Sequence, residues 1–241
     1  MNDRFDAKML GVLGGMGPMA GAVFLERLTA LTEASRDQEH IPTVLWSDPR
    51  VPDRTAAWLA GGEDPLPWLL NGIRRLEQAG AKAIAIPCNT AHLWYTQMAN
   101  ATMLPVLHIV EATVEDLKRQ GLAGGKIGVM GSAGTLTSGL YQQRLEACGY
   151  EWVTPSDEEI EESCTPAISL VKANRTAEAY EPAAGCVRGL IRRGAIAVVL
   201  GCTELPLAIP HARRREFGVE FSDSIDGLAR AAIRWYFGGA G

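Results

Sequence analysis

Short apolar runs alternate along the chain with longer stretches of helical period. Met9 to Leu13, Thr43 to Trp46, Ala83 to Ile86 and Pro105 to Leu107 have the length and character of buried strands. Among the intervening segments, Leu66, Leu69, Leu70, Ile73 and Leu76 recur at i, i+3, i+4, i+7 and i+10, which is one face of a helix. Asp64 can cap that helix, Pro65 fits its first position, and Gly80 suits a left-handed C-terminal stop. The pattern restarts with a strand at Ile127 to Met130 and a helix from about Leu136 to Cys148. A strand at Tyr150 to Val153, helices over about Glu158 to Lys172 and Ala177 to Arg193, and a strand at Ile196 to Leu200 follow. Ser222 is placed to cap a last helix from about Asp223 to Trp235. Strands alternating with helices predict parallel sheets with both faces covered.

The two halves echo each other. Each opens with a strand that ends in a small-residue turn, "VLGGMGP" and "VMGSAGT". Each later runs from helix to turn to apolar strand to a Cys-Thr motif, "RLEQAGAKAIAIPCNT" and "LIRRGAIAVVLGCTE". Cys88 and Cys202 stand 114 residues apart, close to half of the 241-residue chain. The expected fold is α/β, with two pseudo-symmetric, doubly wound domains and parallel-rich sheets. The first covers residues 1–113, completed by the C-terminal helix at 221–241, and the second covers 114–220. Such sheets bind ligands at the carboxyl ends of their strands, which is where both cysteines fall.

A free cysteine in apolar surroundings is usually a small core hydrophobe. Cys148, Cys164 and Cys186 are read that way. Cys88 and Cys202 differ, because each stands between a buried strand and an expected helix start, where unpaired N–H groups and the helix dipole favour a thiolate. A nucleophilic hydrolase would pair one such cysteine with a histidine base, yet of His40, His92, His108 and His211 only His92 is near a cysteine in sequence. Two duplicated thiols suit a different chemistry, in which one removes a proton from a carbon while the other delivers one to the opposite face.

The motifs "VLGGMGPMAG", "PDRT", "IPCNTAH", "GSAGT" followed by "LY", and "GCTELPL" resemble the cofactor-independent aspartate/glutamate racemase superfamily, in particular its aspartate racemase branch. The resemblance runs through nearly the whole chain in order. It implies an active site in the cleft between the domains, no pyridoxal phosphate, no metal, and a homodimer. By that resemblance Cys88 and Cys202 are the two catalytic acid–bases, and the turn at Gly15-Met16-Gly17 lines the site with its backbone. Asn89, Thr90 and Thr203 match residues around the substrate α-carboxylate, and Ser132 and Thr135 fall in the matching "GSAGT" segment. Arg54 and Lys172 match basic residues that hold a distal carboxylate. Ser132 replaces a frequent Thr, and Ile168 stands where some aspartate racemases have Tyr, which bears on specificity.

Other roles remain open for several of these residues. Asn89 and Thr90 also suit helix capping, and His92 suits a core or capping place. Glu204 favours the start of a helix but opposes a thiolate at Cys202 if it points that way. "GVLGGMGPMAG" loosely matches a dinucleotide fingerprint, but Asp37 falls in a polar loop and Asp48 comes late for the ribose acid. Related activities in the same superfamily, maleate isomerase and hydantoin racemase, stay as alternatives. So does a non-catalytic protein that binds an acidic amino acid.

Composition narrows the partners. With 47% hydrophobic residues, 21% charged and a net charge of −5, the chain reads as an ordinary globular protein without the basic face of a nucleic-acid binder. The run Arg213-Arg214-Arg215 is short and ends at Glu216, as a solvated loop would. No apolar segment approaches the roughly 20 residues that span a bilayer. The polar start, Met1 to Lys8, shows no signal-peptide pattern. Five scattered cysteines without a C-x-x-C pair suggest neither a disulfide framework nor a zinc knuckle. A cytoplasmic protein acting on a small amino acid, without membrane or nucleic-acid partners, is expected.

Overall fold

Buried apolar strands with helical crossovers leave few arrangements open, and the computed structural model, which describes residues 8–238, adopts a regular one. The polar start at residues 1–7 and the tail at 239–241 lie outside the described residues. In the first half the order is β1 (Leu10–Gly14), α1 (Pro18–Leu31), β2 (Thr43–Ser47), α2 (Arg54–Ala60), α3 (Leu66–Gln78), β3 (Ala83–Ala85), α4 (Tyr95–Asn100), β4 (Val106–Leu107) and α5 (Ile109–Arg119). The second half runs β5 (Lys126–Met130), α6 (Ala133–Thr137), α7 (Leu140–Ala147), β6 (Glu151–Val153), α8 (Asp157–Glu159), α9 (Thr165–Lys172) and α10 (Thr176–Arg192). It ends with β7 (Ala197–Leu200), α11 (Leu205–Ala208), α12 (His211–Arg214), β8 (Glu220–Asp223) and α13 (Ser224–Phe237).

The strands form two four-stranded parallel sheets of the same topology, β2-β1-β3-β4 and β6-β5-β7-β8. The internal echo in the sequence is therefore a structural repeat, with β3 and β7 in equivalent places. Leu10, Val12, Ile127 and Val129, from both sheets, share one core with Phe24, Ile109, Leu117, Ile225 and Leu228 of α1, α5 and α13. Burying that shared apolar surface fixes the two lobes against each other, at about 25 cal/mol per Å² removed from water. The outer faces have their own cores, under α3 with Leu69, Ile73 and Leu76, and under α9 and α10.

Helix α3 follows its periodicity closely. Asp64 Oδ1 accepts from the Leu66 N–H at 2.9 Å, and Gly80 takes a left-handed φ of 93°. The expected helix over Leu136–Cys148 is instead two helices, broken at Gly139, whose φ of 74° no continuous helix allows. Ser222 is not a helix cap. It lies in β8, fully buried, and its hydroxyl donates to the Thr113 carbonyl at 2.9 Å, while Asp223 caps α13 by accepting from the Asp226 N–H. Residues 113/114, the expected domain boundary, lie within α5.

In each sheet the chain winds outward both ways from the two central strands. The switch point opens at the carboxyl ends of β1 and β3, and of β5 and β7. The turn after β1 is the tightest of these. Gly15 has a φ of 95°, and a Cβ there would lie 2.3 Å from the Asp48 carbonyl oxygen. Gly15→Ala is expected to cost about 2 kcal/mol or more and to lower Tm by roughly 4–8 °C, measured by thermal unfolding.

Candidate active site

The four central strands deliver four loops to one place. Met16 comes from the turn after β1, Cys88, Asn89 and Thr90 follow β3, Ser132 follows β5, and Cys202, Thr203 and Glu204 follow β7. Arg54 and its neighbours enter from the start of α2, and Ile168 and Lys172 from α9. Together they line a narrow cavity. It adjoins a wider mouth that shares Asp53, Arg54, Lys172 and Glu204. Nine of the ten residues singled out from sequence reach the cavity wall. Thr135 does not, and supports the wall from behind. Asp53 and Thr55, which flank Arg54, were missed although the "PDRT" motif contains both.

Both thiols face this cavity and are nearly buried, Cys88 at 4% and Cys202 at 7% exposure. The helices after them are not the long ones expected. Cys88 precedes a 3-10 turn, Thr90–Trp94, and α11 has only four residues, with Pro210 two residues beyond its end. Neither turn is a long helix, and at Cys202 burial and nearby side chains set the ionisation. Burial pushes the Cys202 thiol well up, and the Glu204 carboxylate beside it adds to the rise. Lys172 and the Glu204 backbone N–H pull the other way. Cys202 Sγ donates to Glu204 Oε2 at 3.1 Å, so the resting group is a thiol.

Cys88 is held through its backbone. His92 is buried, and burial holds its pKa down at about 3, so the ring is neutral. Its Nε2 accepts the Ile109 N–H at 3.1 Å, which leaves Nδ1 to donate to the Cys88 carbonyl at 2.8 Å. His92 thus ties the cysteine loop to the start of α5.

Asn89 lines the cavity, but its side chain is committed elsewhere. Its Oδ1 accepts from the Tyr141 hydroxyl at 2.6 Å, and its Nδ2 donates to Ser224 Oγ at 2.8 Å. Ser224 in turn donates to the Leu200 carbonyl, two residues before Cys202. A buried hydrogen-bonded chain therefore connects the two cysteine loops. Thr90, Ser132 and Thr135 form a second link, with hydroxyl oxygens 2.9 to 3.0 Å from one another. Their donors serve each other here and can turn toward a carboxylate.

The charges in the wall are uncompensated. Arg54 is 8% exposed; among the described residues its Nη1 donates only to the Val51 and Pro52 carbonyls, and its Nε has no partner. The Gly17 N–H, where a phosphate would lie in a dinucleotide site, donates to Glu204 Oε1 at 3.3 Å. A carboxylate already occupies that position. Among the described residues, His211, Asp223 and Asp226 cluster as potential metal ligands. Arg27 and Arg214 already neutralise them, and they lie outside this cavity.

Two repeated parallel-sheet lobes each deliver a thiol to one charged cavity, which defines the class as a two-lobed α/β protein with a cysteine from each lobe at its candidate site. The Asp/Glu/hydantoin racemase family model matches residues 13–232. The broad specificity amino-acid racemase RacX of Bacillus subtilis is 26% identical over 95% of this chain and 98% of its own. The aspartate racemase of Picrophilus torridus superposes with a TM-score of 0.84 at 32% identity, covering 95% and 94% of the two chains. A glutamate racemase from Francisella tularensis, at 16% identity, shares the fold with a TM-score of 0.70 over 97% of this chain and 82% of that one. The chain belongs to the Asp/Glu/hydantoin racemase family. Among the described residues, no helix is long and apolar enough to cross a membrane.

Proposed function

We propose that the protein is an amino-acid racemase that interconverts the L and D forms of aspartate or glutamate without pyridoxal phosphate. The observation that carries this is the pair Cys88 and Cys202, delivered by equivalent strands of the two lobes to one cavity. One thiolate takes the α-proton and the opposite thiol gives one back, so inversion needs no cofactor. The remaining wall supplies what two thiols cannot. Hydroxyls of Thr90, Ser132 and Thr203 and the loop N–H groups receive the α-carboxylate, where negative charge grows as the proton leaves. The closed cavity strengthens those interactions by excluding water. The Arg54 guanidinium, buried and without a carboxylate partner, favours a ligand with a second acid group.

Incubation of the purified protein with each enantiomer in deuterated water, with no pyridoxal phosphate added, tests this. Loss of optical activity together with one solvent deuterium at Cα is the expected result. Retention of the α-hydrogen in every acidic and neutral amino acid tried rules the racemase out. Aspartate or glutamate binding without exchange would point to a sensor instead.

A further inference from the structure

Glu204 is the one feature of the cavity that amino-acid racemisation by two thiols leaves without a use. Its side chain is only 5% exposed, yet it has no ion-pair partner among the described residues. It receives three donors, the Gly17 N–H at 3.3 Å, Thr203 Oγ1 at 3.3 Å and Cys202 Sγ at 3.1 Å. None of these is a cation, and two of the bonds are long. A carboxylate offers about four acceptor positions, so one remains. Glu204 lines both the thiol cavity and the mouth that leads into it. A nearly buried charge without a counter-charge is costly unless a ligand brings the counter-charge.

We propose that Glu204 receives the α-ammonium group of the substrate. This rests on the racemase reading above and adds the binding partner for the nitrogen. Position supports it. Cys202 must approach Cα to exchange its proton, and the ammonium nitrogen is bonded to Cα. A carboxylate oxygen 3.1 Å from that sulfur is therefore in reach of the nitrogen. Charge supports it as well, because Arg54 and Lys172 are positive and, among the described residues, the only other acid in the wall is Asp53. Asp53 is exposed and spends Oδ1 capping α2 through the Ala56 N–H at 2.7 Å. The cavity thus carries the complement of an amino dicarboxylate: cations for its acids and one buried anion for its ammonium. Keeping the nitrogen as an ammonium also makes Cα–H more acidic than a neutral amine would. Glu204 makes and breaks no bond to hydrogen at Cα, so it is a binding residue and the thiols keep the proton transfer.

The test compares ligands that differ only in the ammonium, aspartate with succinate and glutamate with glutarate, by titration calorimetry on the wild type, Glu204→Gln and Glu204→Asp. Glu204→Gln should weaken the better-bound amino acid by about tenfold or more while its deaminated analogue binds as well as before or better. Glu204→Asp should keep the discrimination. Equal weakening of both ligands in Glu204→Gln would make Glu204 a merely structural residue and overturn the inference. So would unchanged amino-acid affinity. A wild type that neither racemises nor binds either amino acid would overturn the racemase reading itself, and this inference with it. Should Glu204→Gln fail to fold, Glu204→Asp losing all preference for the amino acid over its analogue would count against the inference.

Discussion

Cys88→Ala and Cys202→Ala should each lower racemisation by roughly a thousandfold or more, because a positioned acid–base group contributes about 10²–10⁴-fold and each direction needs both thiols. The loss should fall on kcat, since neither thiol is needed to hold the carboxylates. Circular dichroism polarimetry with each enantiomer measures it, and an active single mutant would exclude two-base transfer. Folding should survive, because both side chains are small, so that alanine removes only one buried atom from each, and both follow the strands and do not lie within them. Cys202 also sets a pH dependence. Burial and the neighbouring Glu204 carboxylate hold the Cys202 thiol above its ordinary range. A raised pKa means that the proton persists to higher pH. Turnover in either direction needs one of the two thiols protonated, so the alkaline loss of kcat/KM should come above about pH 8.5, the ordinary thiol value, and at the same pH for both enantiomers, which are equal in energy. An alkaline limb below that value would contradict a raised Cys202 thiol.

The environment of Cys202 marks where the sequence stopped being informative. The thiols themselves were legible, because a repeated strand-to-Cys-Thr pattern is visible without coordinates, and equivalent strands β3 and β7 deliver both. Their surroundings were not. The partners of Asn89 lie 52 and 135 residues away, so its commitment to Tyr141 and Ser224 has no local signature. Its side chain looked free for a carboxylate and is occupied by the network between the lobes. Glu204 could be named as a problem for Cys202, but its sign depended on where the side chain points. Strand β8 was lost for a related reason. Its residues, Glu-Phe-Ser-Asp, include a single apolar side chain, and the strand forms because β7 offers an open edge and Thr113 accepts from Ser222. Periodicity detects faces that meet water on one side and core on the other. It does not detect polar residues buried by a long-range partner.

Arg54 is where that distinction has its largest measurable consequence after the thiols. Arg54→Lys should raise KM for aspartate and glutamate about 10–100-fold, since a charged hydrogen bond is worth roughly 1.5–3 kcal/mol and lysine cannot reproduce the planar fork. Neutral amino acids such as alanine should be far less affected, because they have no second carboxylate to lose. The ratio of kcat/KM between aspartate and alanine is therefore the decisive reading. Arg54 also donates to the Val51 and Pro52 carbonyls, so it shapes the loop it stands on. If that were its whole contribution, both substrates would weaken together and Tm would fall. A collapse confined to dicarboxylates, at unchanged Tm, assigns the buried guanidinium to the distal acid. A uniform loss would leave Lys172, across the same cavity and exposed at the end of α9, as the remaining cation for that group.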